Sequence, residues 1–361
     1  MRLTRLTQGG FASTLILVSE MKVALYPILG VTRDYLDDPF DLSALPATIL
    51  PNVTIEDVKS MFNDKSFDLW RGYIAKREQE SLQRVRFAIV CRYSDDFVRA
   101  RFHPDQDAEK LVRYMGVCLR LIRPMQQDAS FIRGKILPDS TLEVQHFEIP
   151  HQEAGVPAVQ RLFRLRNQDV TRLQIVAPLF MAAMSGEFWK FRMAVDLHES
   201  GHFLHTFWKA RFSLWCSAIE ALYTSNSHEH KGSLVAKERI KWFLSPKTRI
   251  YELGDIQIGQ PDITTTIGDI VDDLYELRNS VAHGDRTPDK FFVAERSEYE
   301  QDVTLAEALT EAASRIIRAS SLRILEDNLL EEFANGPASE TYFGSKGLTR
   351  SALYARLKAK L

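Results

Sequence analysis

Two short stretches of the chain hold residues whose types and spacing are suited to chemistry. The first is LHESGHFLH, residues 197–205, which contains His198-Glu199-x-x-His202. Two imidazoles four residues apart on a helix can reach one metal ion, and the intervening Glu can act as base for a metal-bound water. The second is LYELRNSVAHGD, residues 274–285, with Arg278, Asn279 and His283. Here a histidine stands one helical turn after an Asn, and that Asn follows a permanently charged guanidinium. That set is suited to proton transfer and to holding a phosphate.

The metal reading of His198 and His202 needs a third ligand. Glu220 is the downstream Glu at a suitable distance in sequence, but HFLHTFWKARFSLWCSAIE has no Gly, Pro or turn cluster and reads as one unbroken helix. Glu220 is then expected about 27 Å from His202 along the axis, out of reach of a shared ion. The variant with a third His two turns on also fails, because His205 stands where Gly is needed and Trp208 where His is needed. Phe188, Phe191 and Val195 lead in helical phase to His198 and His202, so both histidines extend a stripe that faces the core, with Ser200-Gly201 as a bend between two helices. No metal is expected there, and a zinc metalloprotease is the weaker alternative.

In the second stretch Ile267, Ile270, Val271, Leu274, Leu277 and Val281 form the apolar stripe of a helix. Asn279 and His283 point almost opposite it, on the face shared by Asp272 and Glu276, and Arg278 sits at its edge. His283 followed by Gly284 also fits a helix C-terminus, a cation near the negative end of the dipole and then a left-handed Gly. Pattern alone leaves capping and function both open. His228 and His230 in SNSHEHKGS read as solvated loop residues. No phosphate-cradling Gly-rich motif is present, so no nucleotide cofactor is expected.

The elements around these motifs divide the chain in two. Residues 1–170 carry β-type runs, TLILVS, KVALYPIL, ATILPNVTI, VRFAIVCRY and TLEVQHFEI, interrupted by a helix start at Thr54–Asp57 and a helix over 108–121. This half is expected to be a mixed α/β domain. Long helical patterns follow over 171–196, 203–225, 233–244, 266–283 and 303–334, and then a basic tail, GLTRSALYARLKAKL, that reads as one more amphipathic helix within 336–361. The fold class is α+β, with an all-helical second half.

Composition limits the partners. The chain has 361 residues, 45% hydrophobic and 26% charged, with a formal net charge of -2, so no global basic field advertises nucleic acid. Three cysteines without Cys-x-x-Cys spacing exclude a zinc ribbon and suit a reducing cytoplasm. No apolar run is long enough for a membrane span, and FASTLILVS lacks a cleavage site and reads as a strand.

Leu-Tyr-x-Leu-Arg-Asn-x-x-x-His-Gly at 274–284 resembles the Arg-Asn-x-x-x-His motif of HEPN domains, in particular the Apea-like family of phage-defence proteins. FSLWCSAIEALY at 212–223 is similar to that family's first bundle helix, with its Ala-x-Glu-x-Leu pattern. The likeness covers about residues 185–335 and leaves 1–170 aside. It implies a helical bundle that dimerises with the two motifs facing each other. It further implies a metal-independent ribonuclease in defence or toxin-like growth arrest, or else a non-catalytic RNA-binding or scaffold module. Arg278 and His283 are the implied catalytic residues, with Asn279 beside them and Glu220 orienting Arg278. Apart from the resemblance, a trigger ligand or protein acting at the N-terminal half is left open as a further partner.

Overall fold

The computed structural model describes residues 21–28, 44–70, 72–73, 85–94, 104–123, 131–148, 165–202, 207–225, 232–253, 265–292, 294–296 and 302–358. The TLILVS run, His205, His228 and His230 lie outside them. An antiparallel sheet of six strands comes first: β1 (Lys22–Ile28), β2 (Ala47–Leu50), β3 (Val53–Asp57), β4 (Phe87–Tyr93), β5 (Ile132–Ile136) and β6 (Leu142–Phe147), in the order β2-β3-β4-β1-β5-β6. Lys22 faces Tyr93 and Ile28 faces Phe87 across the central pair. Both faces of this pair are covered, which is why VALY and FAIVC read as unbroken apolar runs. Ala24, Tyr26, Ile89 and Cys91 enter the main core, whereas Val23, Leu25, Ala88 and Val90 meet Phe62 and Phe67 on the other face.

Two parts of this half differ from the sequence expectation. Thr54–Asp57 starts no helix; it lies in β3, where Val53 and Ile55 are buried toward the sheet and Glu56 pairs with Arg92 on β4. Cross-strand pairing claims the carboxylates that looked like helix-start signals. Strand β5 was not expected, because Arg133, Gly134 and Lys135 interrupt its apolar pattern. Its charged side chains are paired, Arg133 with Glu109 at 2.7 Å and Lys135 with Glu143 at 3.6 Å.

Helix α1 (Pro104–Ile122) lies on the sheet, and α2 (Asn167–Ser185) packs on both α1 and β2. The remaining described helices are α3 (Trp189–His202), α4 (Trp208–Tyr223), α5 (Gly232–Leu244), α6 (Ile267–His283), α7 (Leu305–Glu326), α8 (Gly336–Gly344) and α9 (Arg350–Lys358), with a short β7–β8 hairpin (Ala294–Arg296, Asp302–Thr304) before α7. The helical stretch expected over 171–196 breaks at Gly186, and the one over 303–334 ends at Glu326. Helix α8 was missed in the sequence; Asn335 caps it by accepting from the Ala338 amide at 3.0 Å, and Pro337 occupies its first turn. None of the described helices is long and apolar enough to cross a membrane.

Helix α7 runs through the middle of the helical half and also touches α1 and α2. Arg318 on α7 donates to the carbonyls of Leu121 and Ile122 at the end of α1, at 3.1 and 3.3 Å. Arg123 and Asp169 form a buried bidentate pair with both bonds at 3.0 Å. The hydrophobic core is correspondingly continuous from the sheet through α1 and α2 into the bundle.

Helices α3 and α4 form an antiparallel hairpin. At its closed end Trp215 Nε1 donates to the His198 carbonyl at 2.9 Å, and a Cβ added to Gly201 would lie 2.2 Å from that indole nitrogen. Gly201 thus permits a close approach and does not mark a bend, because α3 continues through it to His202. Gly201→Ala is expected to push Trp215 away and lower stability by about 1–3 kcal/mol, a loss of several degrees in melting temperature. Thermal melting by circular dichroism checks this; an unchanged midpoint would show that the hairpin relaxes freely.

Candidate active site

Helix α6 places the second motif. Thr266 caps its start by accepting from the Asp269 amide at 3.3 Å, and Ile267, Ile270, Val271, Leu274 and Leu277 are buried. At its far end Gly284 takes the left-handed conformation, φ 68°, and the Asp285 amide donates to the Ser280 carbonyl at 3.0 Å. The helix therefore ends at His283. Asp272 is taken up by Lys237 and Lys241 of α5, at 2.8 and 2.9 Å, and Glu276 by Lys290 at 2.8 Å. The acids of this face are neutralised before the motif begins.

Arg278, Asn279 and His283 open onto a cleft of about 860 Å³, and Glu220 of α4 lies on it with them. Arg278 Nη2 donates to Glu220 Oε2 at 3.1 Å, with Nη1 3.4 Å from Asn279 Oδ1. Asn279 and His283 are exposed, while Arg278 and Glu220 are partly buried. Beneath the pair, burial pushes the Tyr275 hydroxyl and the Cys216 thiol well up, with the Glu220 charge acting in the same direction. Both are neutral packing groups. The four residues singled out in the sequence thus share one cleft.

The opposite wall was not foreseen. Trp189, Met193 and Leu197 repeat at four-residue spacing along α3 and line the cleft together with Ala221 and Pro337. Their phase lies opposite Phe191, Val195 and His198, which are buried. A second apolar repeat on α3 was therefore legible in the sequence beside the stripe that faces the core. Ser225 and Asn335 close the base of the cleft. Ser225 is held by Arg239, which is fully buried and also donates to the Tyr223 carbonyl at 3.0 Å.

The first motif has a different surrounding. His198 is fully buried, with Nε2 2.9 Å from Ser314 Oγ of α7 and Nδ1 3.7 Å from Glu199 Oε1. His202 packs on the edge of His198 and on Trp215, with ring centroids 4.7 and 5.3 Å away. The straight helix expected from His202 to Glu220 is corrected by the hairpin. Lys190 meets Thr224 and His198 meets Trp215, which sets Glu220 near the level of Met193, about 13 Å from His202 along α3.

Ligand atoms of His198, Glu199 and His202 do come within 4.8 Å of one another. Their charge is already balanced, however. Arg120 of α1, fully buried, stands 3.5 Å from Glu199 Oε2, and a divalent ion would have to sit beside that guanidinium. Burial lowers the His198 pKa, with Arg318 and Arg120 acting in the same direction and Glu199 opposing. The imidazole is thus held neutral as a buried hydrogen-bonding group.

No protein-family model matches the chain, and no curated protein or solved structure matches it either.

Two outcomes are expected. Purified protein should hold substoichiometric zinc, and EDTA should leave its melting temperature unchanged; one tightly bound zinc per chain, lost in His202→Ala, would overturn this. The lowered His198 pKa also has a sign. The unfolded chain takes up a proton near pH 6.5 that the folded chain refuses, so this stabilisation is complete above that pH and is lost as pH falls below it. Denaturant titrations from pH 7.5 to 5 should show stability falling more steeply in wild type than in His198→Gln. Equal slopes would mean that His198 is protonated without strain.

Proposed function

We propose that the chain is a metal-independent endoribonuclease of the HEPN type, acting as a homodimer through its helical half in the cytoplasm. The supporting observation is the shared cleft: Glu220, 58 residues upstream of Arg278, lines the same opening as Arg278, Asn279 and His283 and is bridged to Arg278. The resemblance of residues 185–335 to HEPN domains supplies the reaction class.

In this reaction the 2′-oxygen of the substrate loses its proton and attacks the adjacent phosphorus. The bond to the 5′-oxygen breaks, and that oxygen takes up a proton as it leaves. The products are a 2′,3′-cyclic phosphate and a free 5′-hydroxyl. His283 serves as base or acid, and Arg278 offers a planar fork to the phosphorane oxygens. Asn279 stands one turn before His283, placed to hydrogen-bond the imidazole or the phosphate. Glu220 touches no reacting atom and is a positioning residue for Arg278. One chain supplies one motif histidine, whereas the reaction moves two protons; a second copy facing the first supplies the other. Activity in phage defence or growth arrest, set off by a trigger at the sheet half, completes the proposal.

A second reading has its own observation. His283 is the last residue before the left-handed Gly284, where a cation is favoured by the helix dipole alone. On that reading the bundle binds RNA or a partner without cutting.

The nuclease is expected to cut RNA in EDTA and to leave 2′,3′-cyclic phosphate ends, and a 2′-deoxy residue at the cleavage site should resist. His283→Ala should lose at least about a hundredfold in rate, and Arg278→Lys should fail because one ammonium cannot replace the fork. Both variants should melt as wild type, since neither side chain lies on the buried stripe of α6. Light scattering should give a dimer at micromolar concentration. Persistent cleavage in folded variants would overturn the assignment, and loss of the fold in both would favour the capping role.

A further inference from the structure

The wall opposite the motif has a chemistry that the proposed cleavage does not use. Trp189 is 49% exposed and Met193 46% exposed, four residues apart on α3, and both open into the cleft that holds Arg278 and His283. Trp189 stacks on no other aromatic ring among the described residues. Side by side, the half-exposed indole and thioether form an apolar patch within the cleft, the kind of surface that marks ligand-binding grooves.

The backbone that carries the indole is held in place. Lys190, the next residue, is fully buried; its ammonium donates to the Thr224 carbonyl, and its amide donates to the Ala334 carbonyl at 3.5 Å. Phe191 is buried on the same side of the helix. The first turn of α3 is thus fixed from behind, and the exposed ring has a fixed backbone beneath it.

The two walls are complementary to the two ends of one nucleotide. An apolar aromatic surface suits the face of a base, and the guanidinium and imidazole opposite suit its phosphate. A volume of about 860 Å³ is that of a small-ligand cleft, room for one or two nucleotides and too little for a duplex. We infer that Trp189, backed by Met193, is a stacking platform for one unpaired base of single-stranded RNA, next to the phosphate held by Arg278. The inference rests on the nuclease reading for the identity of the ligand. It adds that the substrate is unpaired at this position and that α3, which carries none of the proposed catalytic residues, fixes where the strand is cut. Stacking on an indole is tolerant of base identity, so the platform selects for an unstacked base and not for a sequence.

The test uses full-length His283→Ala protein, which should not cleave, and a fluorescent eight-nucleotide single-stranded RNA. Replacing each base in turn by an abasic residue should reveal one position whose loss weakens binding about ten- to a hundredfold. Trp189→Ala in the same background should weaken binding of the intact RNA by a similar factor and abolish the abasic penalty. Trp189→Phe should retain most of both. Duplex RNA of the same sequence should compete poorly.

An unchanged Kd in Trp189→Ala, or an abasic penalty that persists in it, overturns the platform. Circular dichroism must show that the variant is folded; if it is not, Trp189→Leu, which keeps apolar bulk without the ring, takes its place with the same outcomes expected. If wild type cuts RNA but is indifferent to abasic residues, only the platform falls. If His283→Ala protein binds no RNA and wild type cuts none, the nuclease reading falls with it. If Trp189→Ala turns a dimer into monomers, the face is covered by a second copy, and the platform is overturned in that way.

Discussion

Helix α3 meets opposite demands on its two sides, and much of the helical half follows from how they are met. Its inner side carries charged and polar groups, Lys190, His198 and Glu199, into the core. Each needs a partner there, because a buried polar group without one costs about 1–3 kcal/mol or more. Those partners come from three helices: Thr224 at the end of α4, Ser314 from α7 and Arg120 from α1, with the Trp215 indole of α4 also donating to the His198 carbonyl. Meeting them fixes the rotation and height of α3. Its outer side then has one available position, and Trp189, Met193 and Leu197 form a cleft wall.

The same register places the polar wall. Once Lys190 is level with Thr224, Glu220 stands one turn below, within reach of α6. Arg278 reaches across to it, and the motif helix is held by that bridge on one side and by its buried stripe on the other. The HESGH sequence therefore matters to the site without belonging to it. Its histidines and glutamate lock the hairpin that carries both Glu220 and Trp189, and a zinc ion would have to displace Arg120 from the carboxylate.

Legibility in the sequence followed how local each signal was. The α6 stripe, its Thr266 start and its Gly284 stop are written within twenty residues, and the structure has them where the periodicity put them. Arg278 and Glu220 were each visible, but their meeting depends on α4 turning back along α3. The sequence between His202 and Trp208 has no Gly or Pro to announce that reversal. What drives it is tertiary: Gly201 lets an indole approach, and the indole finds a carbonyl. Thr54–Asp57 shows the converse. Its helix-start pattern is local and correct in type, yet pairing with β4 and the Arg92 charge overrode it. Trp189 was missed for a third reason: one stripe on α3 already accounts for the core, and its own stripe, half a turn away, acquires a role only once α4 and α6 stand beside it.

The Glu220–Arg278 bridge constrains any anion that enters the cleft. The two side chains are 23% and 29% exposed, so the pair is neither fully screened nor locked in a dry interior. A phosphate approaching Arg278 meets a guanidinium whose charge is already half answered, and it binds less tightly than it would to a bare cation. In return the fork is held in one orientation before the ligand arrives, so little rotamer entropy remains to be lost. For a binding module, whose purpose is affinity, removing the Glu220 charge would be an improvement. For a catalyst it would not, because ground-state affinity that is not increased in the transition state leaves the rate unchanged. A dianionic phosphorane, with more charge at its equatorial oxygens than the starting diester, gains more from an aligned fork than the diester does. On the proposed nuclease reading, the acid beside the arginine serves by aligning the fork and not by adding affinity.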